Sequence, residues 1–356
     1  MLSSHFFSGT LTSDQVIFPV YTFHATCSPA MQFGITPIFC DMTENGNISP
    51  DAIAKAITPR TRAVVVTHMW GMPCDMVQIC RVLKEYPKIL LLEDCSHAHG
   101  AMVNGQMVGT FGDGAAWSLQ GQKVVTGGEG GIVLTKHLDF HCRQLLWGHY
   151  NKRCKTEIPR DHPLAGYSLT GAGLKNRAHP IAISIALNQL RKLPSFAKVK
   201  RSFVSKLCSE LGSIAFLEVP DLLSLQENGF EPAWYVFVMK FKPEKAPAGL
   251  TREAFVQDLI EEGLPDADIP GSTGVLHREP LFTNPEEILP HIYPPGTYHD
   301  ANSTRTFETA IGFYNSIIKI PVWAYSDEDC FVNHYVTTIK TVAAKWQALA
   351  APNGSA

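Results

Sequence analysis

Lys123 stands in Ser118-Leu119-Gln120-Gly121-Gln122-Lys123, and Thr126-Gly127-Gly128-Glu129-Gly130-Gly131 follows closely. Upstream, the apolar run Ile89-Leu90-Leu91-Leu92 ends in Glu93-Asp94-Cys95-Ser96-His97. The order is an acid at the end of a buried strand, then a serine, then a lysine ahead of a glycine cluster. A lysine amine becomes a useful nucleophile toward a carbonyl carbon once its pKa is lowered. A buried carboxylate is costly unless paired, and a protonated ring nitrogen is such a partner. These residues therefore point to a pyridoxal phosphate site, with Asp94 at the pyridine nitrogen, Ser118 at the phosphate and Lys123 as the Schiff-base lysine. The ordinary uses of the same residues are a solvated loop lysine and a turn or capping aspartate. Their shared order in the chain favours the cofactor reading.

Other strand-end residues join the candidates. His97 and His99 flank Ala98, and one of them can hydrogen-bond the cofactor's 3-oxygen or sit beside its ring. No cysteine or carboxylate spacing completes a zinc set around them, so no metal is expected. Phe23 follows the first strand, where an aromatic can stack on a flat ring or simply pack in a core. His68 and Trp70, in His68-Met69-Trp70-Gly71, can line a substrate pocket or form a packed turn.

Those side chains need elements to carry them. Val16 to Val20, Ile38 to Cys40, Ala63 to Thr67, Ile89 to Leu92 and Gly131 to Leu134 read as short apolar strands. Between them, Ser49-Pro50-Asp51 opens a helix: Ser49 as cap, Pro50 at the first helical position, Asp51 at the positive end of the dipole. Asp75 to Tyr86 carries apolar residues near helical spacing. Strands alternating with helices imply a mostly parallel sheet with helices on both faces, which delivers strand-end residues to one crevice. Asn176 to Leu193 reads as a helix that Pro194 breaks, so the sequence divides into a large domain, 1–194, and a small α+β domain, 195–356. In the latter, Tyr235 to Phe241 and Ile317 to Pro321 read as strands. Thr251 caps a helix that Gly263 ends, 263–274 reads as an irregular loop, and the last helix spans about 327–349.

The 356 residues can bury a full core in each unit, and a net charge of -3 gives no reason to expect nucleic acid or an acidic membrane as partner. Nine scattered cysteines, no membrane-length apolar run and no signal-peptide pattern at Met1 to Phe7 fit a reduced cytoplasmic compartment.

Val16-Ile17-Phe18-Pro19-Val20-Tyr21-Thr22-Phe23, Glu93-Asp94-Cys95-Ser96-His97-Ala98-His99-Gly100 and Ser118-x-x-x-x-Lys123 with Gly128-Glu129-Gly130-Gly131 together resemble the DegT/DnrJ/StrS family. His68-x-x-Gly71 and Gly173-Leu174-Lys175-Asn176-Arg177 also fit it. The resemblance implies a fold type I PLP-dependent sugar aminotransferase. It makes Phe23 the ring-stacking aromatic and His97 the neighbour of the phenolic oxygen. It also implies a homodimer with shared active sites, an amino donor such as glutamate or glutamine, and a keto sugar or keto cyclitol acceptor. Gln120, in a Ser-x-Gln element, resembles the branch acting on sugars and cyclitols. Two departures stand out. The family's opening helix and Gly-Thr-x-Ala-Leu phosphate turn have no counterpart here, since Gly9-Thr10-Leu11 is too close to Val16, and about fifty residues of the pattern are missing. The expected consequence is weakened phosphate binding, with a shortened non-catalytic relative or interaction subunit as the alternative. In the second, Lys175 takes the place of the asparagine that reaches the partner subunit's phosphate, with Asn176 one position off.

Overall fold

Alternation sorts the strand side chains onto two cores. In β1 (Gln15–Pro19), Val16 and Phe18 face one core while Ile17 faces the other. A short strand β2 (Tyr21–Phe23) follows, then β3 (Thr36–Cys40), α1 (Pro50–Ala56) and β4 (Thr61–Thr67). In β4, Ala63 and Val65 point to the first core, and Val64 and Val66 to the second. A strand covered on both faces must be apolar throughout, and that accounts for the unbroken valine and leucine runs. The chain continues through α2 (Met76–Lys84), β5 (Leu90–Asp94), β6 (Gly114–Ser118) and β7 (Gly131–Thr135). The computed structural model describes residues 14–324 and 328–350. Gly9-Thr10-Leu11 lies outside them.

The sheet has the order β3-β1-β4-β5-β6-β7. All pairs are parallel except the last, where β7 runs antiparallel to β6. The caps follow the local chemistry: Ser49 Oγ accepts from the Ala52 N–H at the start of α1, and Asp75 Oδ1 from the Gln78 N–H at the start of α2. After α3 (Leu138–Gly148) comes α4 (Pro180–Leu211), a helix of 32 residues. It does not end at Pro194. Proline removes one N–H and leaves the Leu190 carbonyl without its helical donor. Both residues are exposed, so water can satisfy that carbonyl and the helix carries on.

The second half of α4 belongs to another core. Phe203, Val204, Leu207 and Leu211 pack with β8 (Val236–Phe241), α5 (Arg252–Glu261), β10 (Ile317–Pro321) and α6 (Glu328–Ala350). Thr251 caps α5 through Ala254 N. The loop expected over 263–274 closes into β9 (Thr273–Val275), which pairs antiparallel with β2. Downstream of it, Leu276, Phe282, Phe307 and Phe313 return to the core of the first sheet. Two layers therefore meet along α4 and β8.

One buried carboxylate fixes the strand ends. Glu93 is fully buried in β5. Its Oε2 accepts from the Gly109 N–H at 2.6 Å and faces His68 Nε2 at 3.2 Å. Its Oε1 accepts from the N–H groups of Phe111 at 2.9 Å and Gly112 at 2.6 Å. A side chain at Gly112 would come within 2.4 Å of the Leu91 carbonyl oxygen, so only glycine lets the loop approach this closely. Burial alone would raise the Glu93 pKa, but the His68 hydrogen bond, with the Gly112 and Gly109 N–H groups, holds it below its ordinary 4.5. The group thus stabilises the fold fully above the unfolded value near 4.5 and ceases to do so as pH falls through its folded value. Glu93→Gln is expected to cost about 2–4 kcal/mol at pH 7, because a neutral amide cannot accept from all four donors. Urea denaturation checks this, and the gap between variant and wild type should narrow below the carboxylate range.

Candidate active site

The carboxyl ends of β1, β4, β5 and β6 open onto a cavity of about 1310 Å³. Asp94, Ser96, His97, Ser118, Gln120 and Lys123 line it from the sheet side. Phe23, Trp70 and Tyr235 contribute the aromatic wall. Asp94 is the last residue of β5. Thr26 Oγ1 donates to its Oδ2 at 2.6 Å, and the Ser96 N–H donates to Oδ1 at 3.0 Å. The Thr26 hydroxyl lies in turn 3.1 Å from that of Thr22 and 3.2 Å from that of Thr67. The carboxylate is thereby fixed in orientation.

Lys123 sits in the turn after β6, its N–H bonded to the Gln120 carbonyl at 2.9 Å. Burial pushes its ammonium below the ordinary lysine value, and the charge of Asp94 opposes that shift. Its Nζ lies 4.8 Å from the centre of the Tyr235 ring. His97 stacks on Tyr235 at 4.2 Å with the planes 6° apart, and on Trp70 at 5.4 Å and 10°. Burial, followed by the charge of Lys123, holds the His97 pKa well below its ordinary value, so the ring is neutral. Its Nδ1 is buried and has no hydrogen-bond partner among the described residues. Trp70 reaches the stack from a backbone φ of 57°, and its Nε1 donates to the Tyr21 hydroxyl at 3.2 Å. Phe23 is 41% exposed on the cavity wall and belongs to none of the cores.

The structure separates other candidates from the cavity. His68 does not line it. The ring is fully buried on the far side of the sheet end, with Nδ1 accepting from the Cys74 N–H at 3.0 Å and Nε2 turned to Glu93. The side chain is a structural tie, and the substrate-pocket expectation for His68 is corrected. His68, Glu93 and Cys95 present donor atoms within 4.8 Å of one another. Both His68 nitrogens and both Glu93 oxygens are already engaged in hydrogen bonds, which ties this set into the frame of the strand ends. Lys175 and Asn176 are exposed and stand outside the cavity lining, with the Asn176 N–H held by the Gly148 carbonyl at 2.8 Å. Within the glycine run, a Cβ at Gly127 would meet the Ala182 carbonyl oxygen at 2.5 Å. The close approach allowed there is to the first turn of α4.

The model of the DegT/DnrJ/EryC1/StrS aminotransferase family matches residues 5–294. The chain belongs to that family. Spore coat polysaccharide biosynthesis protein SpsC of Bacillus subtilis (strain 168) is 27% identical over 335 residues, covering 90% of this chain and 77% of the relative. A putative L-glutamine:3-amino-2,3-dideoxy-scyllo-inosose aminotransferase of Micromonospora echinospora is 26% identical, covering 88% and 74%. The solved aminotransferase of Psychrobacter cryohalolentis superposes with a TM-score of 0.81 at 24% identity, covering 97% of this chain and 85% of that one. 3-amino-5-hydroxybenzoic acid synthase gives 0.74 at 22%, covering 97% and 82%. These structures share the fold, which is that of the fold type I PLP-dependent transferases.

The chain is a PLP-dependent enzyme of this aminotransferase family, and the residues present fit the cofactor. Asp94 offers a fixed, anionic acceptor for a pyridinium nitrogen. Lys123 offers an amine whose proton affinity is already reduced. His97 offers an unpartnered buried nitrogen beside that lysine. Sequence reasoning missed Glu93, Thr26 and Tyr235. A glutamate inside a leucine strand was a usable signal for the first, since buried acids need partners. Tyr235 arrives from a distant strand, and nothing local marks it.

His99 supplies a pH test. Its ring is buried, and burial, then the Lys123 charge, lowers its pKa to about 4 against a backbone hydrogen bond at Ser118. Below pH 6.5 the unfolded chain takes up a proton that the folded chain refuses until about pH 4. Stability should therefore fall by about 1.4 kcal/mol per pH unit from this group across that window. His99→Gln removes that proton, so chemical denaturation of the variant between pH 6.5 and 4 should show a correspondingly shallower loss.

Proposed function

We propose that the chain transfers an amino group from glutamate or glutamine to a keto sugar carried on a nucleotide, or to a keto cyclitol. The observation that carries this is the half-buried Lys123 amine, set between Asp94 and the Tyr235 face in a cavity of about 1310 Å³. That volume exceeds the roughly 300–1000 Å³ of a usual small-ligand pocket, which suits a cofactor and a substrate together. Two relatives carry names of this kind: the putative L-glutamine:3-amino-2,3-dideoxy-scyllo-inosose aminotransferase, and a GDP-perosamine synthase of Escherichia coli O157:H7 that is 33% identical over 209 residues, covering 58% of this chain and 54% of the relative.

Pyridoxal phosphate, when bound, supplies the electron sink for charge developing at the amino-bearing carbon. The protein's own residues supply the rest. Asp94 holds the proton on the ring nitrogen and is itself kept in place by Thr26 and Ser96. Lys123 anchors the cofactor, and its Nζ then carries the proton to and from the substrate carbon. Its lowered pKa raises the fraction of free amine near neutrality. Phe23 would stack on the ring, neutral His97 would donate or accept at the phenolic oxygen, and Ser118 and Gln120 would supply polar contacts at the end of β6.

The test begins with absorbance. Wild type with PLP should show the band of a lysine-linked cofactor, fixed by borohydride, and Lys123→Ala should lose both band and turnover by a factor of about 1000 or more. A band surviving in the variant would overturn the assignment. A dTDP-4-dehydro-2,6-dideoxy-D-glucose 3-dehydratase of Saccharopolyspora spinosa is 30% identical over 85% of this chain. A keto-sugar product that has lost water and gained no nitrogen would replace transfer by dehydration.

We infer further that two copies share their sites in the cytoplasm. The first half of α4 exposes Ile181, Ile183, Ile185, Leu187 and Leu190, too much apolar surface for one helix to leave in water. All nine cysteines are free, and no helix among the described residues is long and apolar enough to cross a membrane. Lys175 and Asn176, outside their own cavity, would reach the partner's phosphate. Mixing Lys123→Ala with Lys175→Ala chains should therefore restore part of the activity, because one of the two sites then carries neither defect. No recovery in a preparation containing mixed dimers would confine Lys175 to its own subunit or to no role.

A further inference from the structure

The helix α4 lends one face to the cavity. Gln189, Lys192, Phe196 and Lys200 recur at spacings of three and four and all line it. Lys200 is the unusual member. It is only 6% exposed, and its Nζ donates to the Trp234 carbonyl at 2.9 Å. Among the described residues no carboxylate pairs with it. Burial alone lowers its pKa, to about 8, with no neighbouring charge contributing. A buried ammonium satisfied by one carbonyl is an expensive arrangement unless an anion completes it.

The other charges of the lining do not supply that anion. Asp94 is engaged by Thr26 and Ser96, and Asp266 makes no ion pair with Lys200. Lys319, also in the lining, is matched by Asp268 at 2.6 Å. Lys123 adds positive charge, and His97 is neutral. Lys192 stands two turns before Lys200 on the same face, exposed at the mouth. The wall therefore holds an excess of cations, one of them deep and poorly satisfied.

We propose that the Lys192–Lys200 face of α4 is an oxyanion subsite that receives the phosphoryl or carboxylate group of a substrate. Lys200 is its buried anchor, and Lys192 draws the anion in from the rim. The proposal rests on the cavity being the substrate cavity of the reading above. Lys200 also donates to Trp234, so the anion would meet an ammonium already fixed in direction by that carbonyl.

Calorimetric titration of the PLP-loaded full chain tests it, since the cofactor then fills its own phosphate site. The probes are inorganic pyrophosphate and glutarate, and the variants are Lys200→Met, Lys200→Arg and Lys192→Met. One probe should bind wild type, and Lys200→Met should weaken it by about tenfold or more, the loss of one charge-assisted hydrogen bond. Lys200→Arg should retain affinity within about threefold, and Lys192→Met should cost about threefold with a weaker salt dependence. Wild-type affinity should fall as pH rises above about 8, where Lys200 gives up its proton. A response to pyrophosphate assigns a phosphoryl group, and a response to glutarate a carboxylate. Binding unchanged in Lys200→Met, or neither probe binding wild type, overturns the subsite. Should Lys200→Met fail to fold, Lys200→Arg and the wild-type pH profile carry the same decision. A missing cofactor band in wild type sinks the aminotransferase reading instead, whereas an intact band with unchanged affinities sinks only the subsite.

Discussion

The Glu93 carboxylate is the tie on which the rest of the site depends. It is a full charge in a dry strand, and such a charge persists only when every lone pair is used. Three backbone N–H groups and His68 use them. The consequence reaches both sides of the strand. The 109–112 segment is pulled under β5 and sets the start of β6, which ends at Ser118 and leads into the Lys123 turn. His68 is held on the other side, and the turn after it delivers Trp70 and Gly71. Those two carry the second unit, because the Ala233 N–H bonds to the Gly71 carbonyl at 2.9 Å and the Tyr235 N–H to the Trp70 carbonyl at 3.1 Å. Adjacent residues of one strand thus divide the work. Glu93 points inward and builds the frame, and Asp94 points outward and lines the cavity.

Within that frame, the cavity's electrostatics depend on burial more than on pairing. Lys123 and Lys200 both lose proton affinity by desolvation, and only Lys123 has an opposing carboxylate. His97 and His99 are kept neutral by the same burial and by the Lys123 charge. Neutral histidines beside a lysine add no repulsion to the arrival of a protonated ring, and they keep a donor or acceptor available for an oxygen on it. The stacked rings of Trp70, His97 and Tyr235 serve this arrangement by excluding water from one side of the lysine. Lys123 is left with the cavity as its open side.

The parts legible in the sequence were those set by local chemistry. Ser49 and Thr251 cap helices because a side-chain oxygen three residues before a free N–H finds it whatever the fold. The strands were readable because burial on both faces demands continuous apolar runs. Asp94, Ser118 and Lys123 were readable as a set because parallel strands must end on one side. Expectations failed where distant parts decide. His68 occupies a strand end, as a pocket residue would, but Glu93, 25 residues on, draws its ring inward. Gly127 opens the glycine cluster after Lys123, and its missing side chain admits Ala182 of α4. No local pattern contains either fact.

Pro194 shows why a local breaker can be overruled. A helix ending there would leave the first core and the second joined by a loop, and nothing would align the residues on either side of the proline. Continuation costs one hydrogen bond at an exposed carbonyl, which water repays in part. In return, Phe203, Val204, Leu207 and Leu211 reach the second core on the same rod whose first turn packs on Gly127. Burying four large side chains outweighs one solvated carbonyl by several kcal/mol, at about 1.5–3 kcal/mol each. Continuity also fixes phase. Gln189 and Lys192 before the proline and Phe196 and Lys200 after it fall on one face only because the helix keeps its turn through residue 194, and that face is the wall the cavity receives.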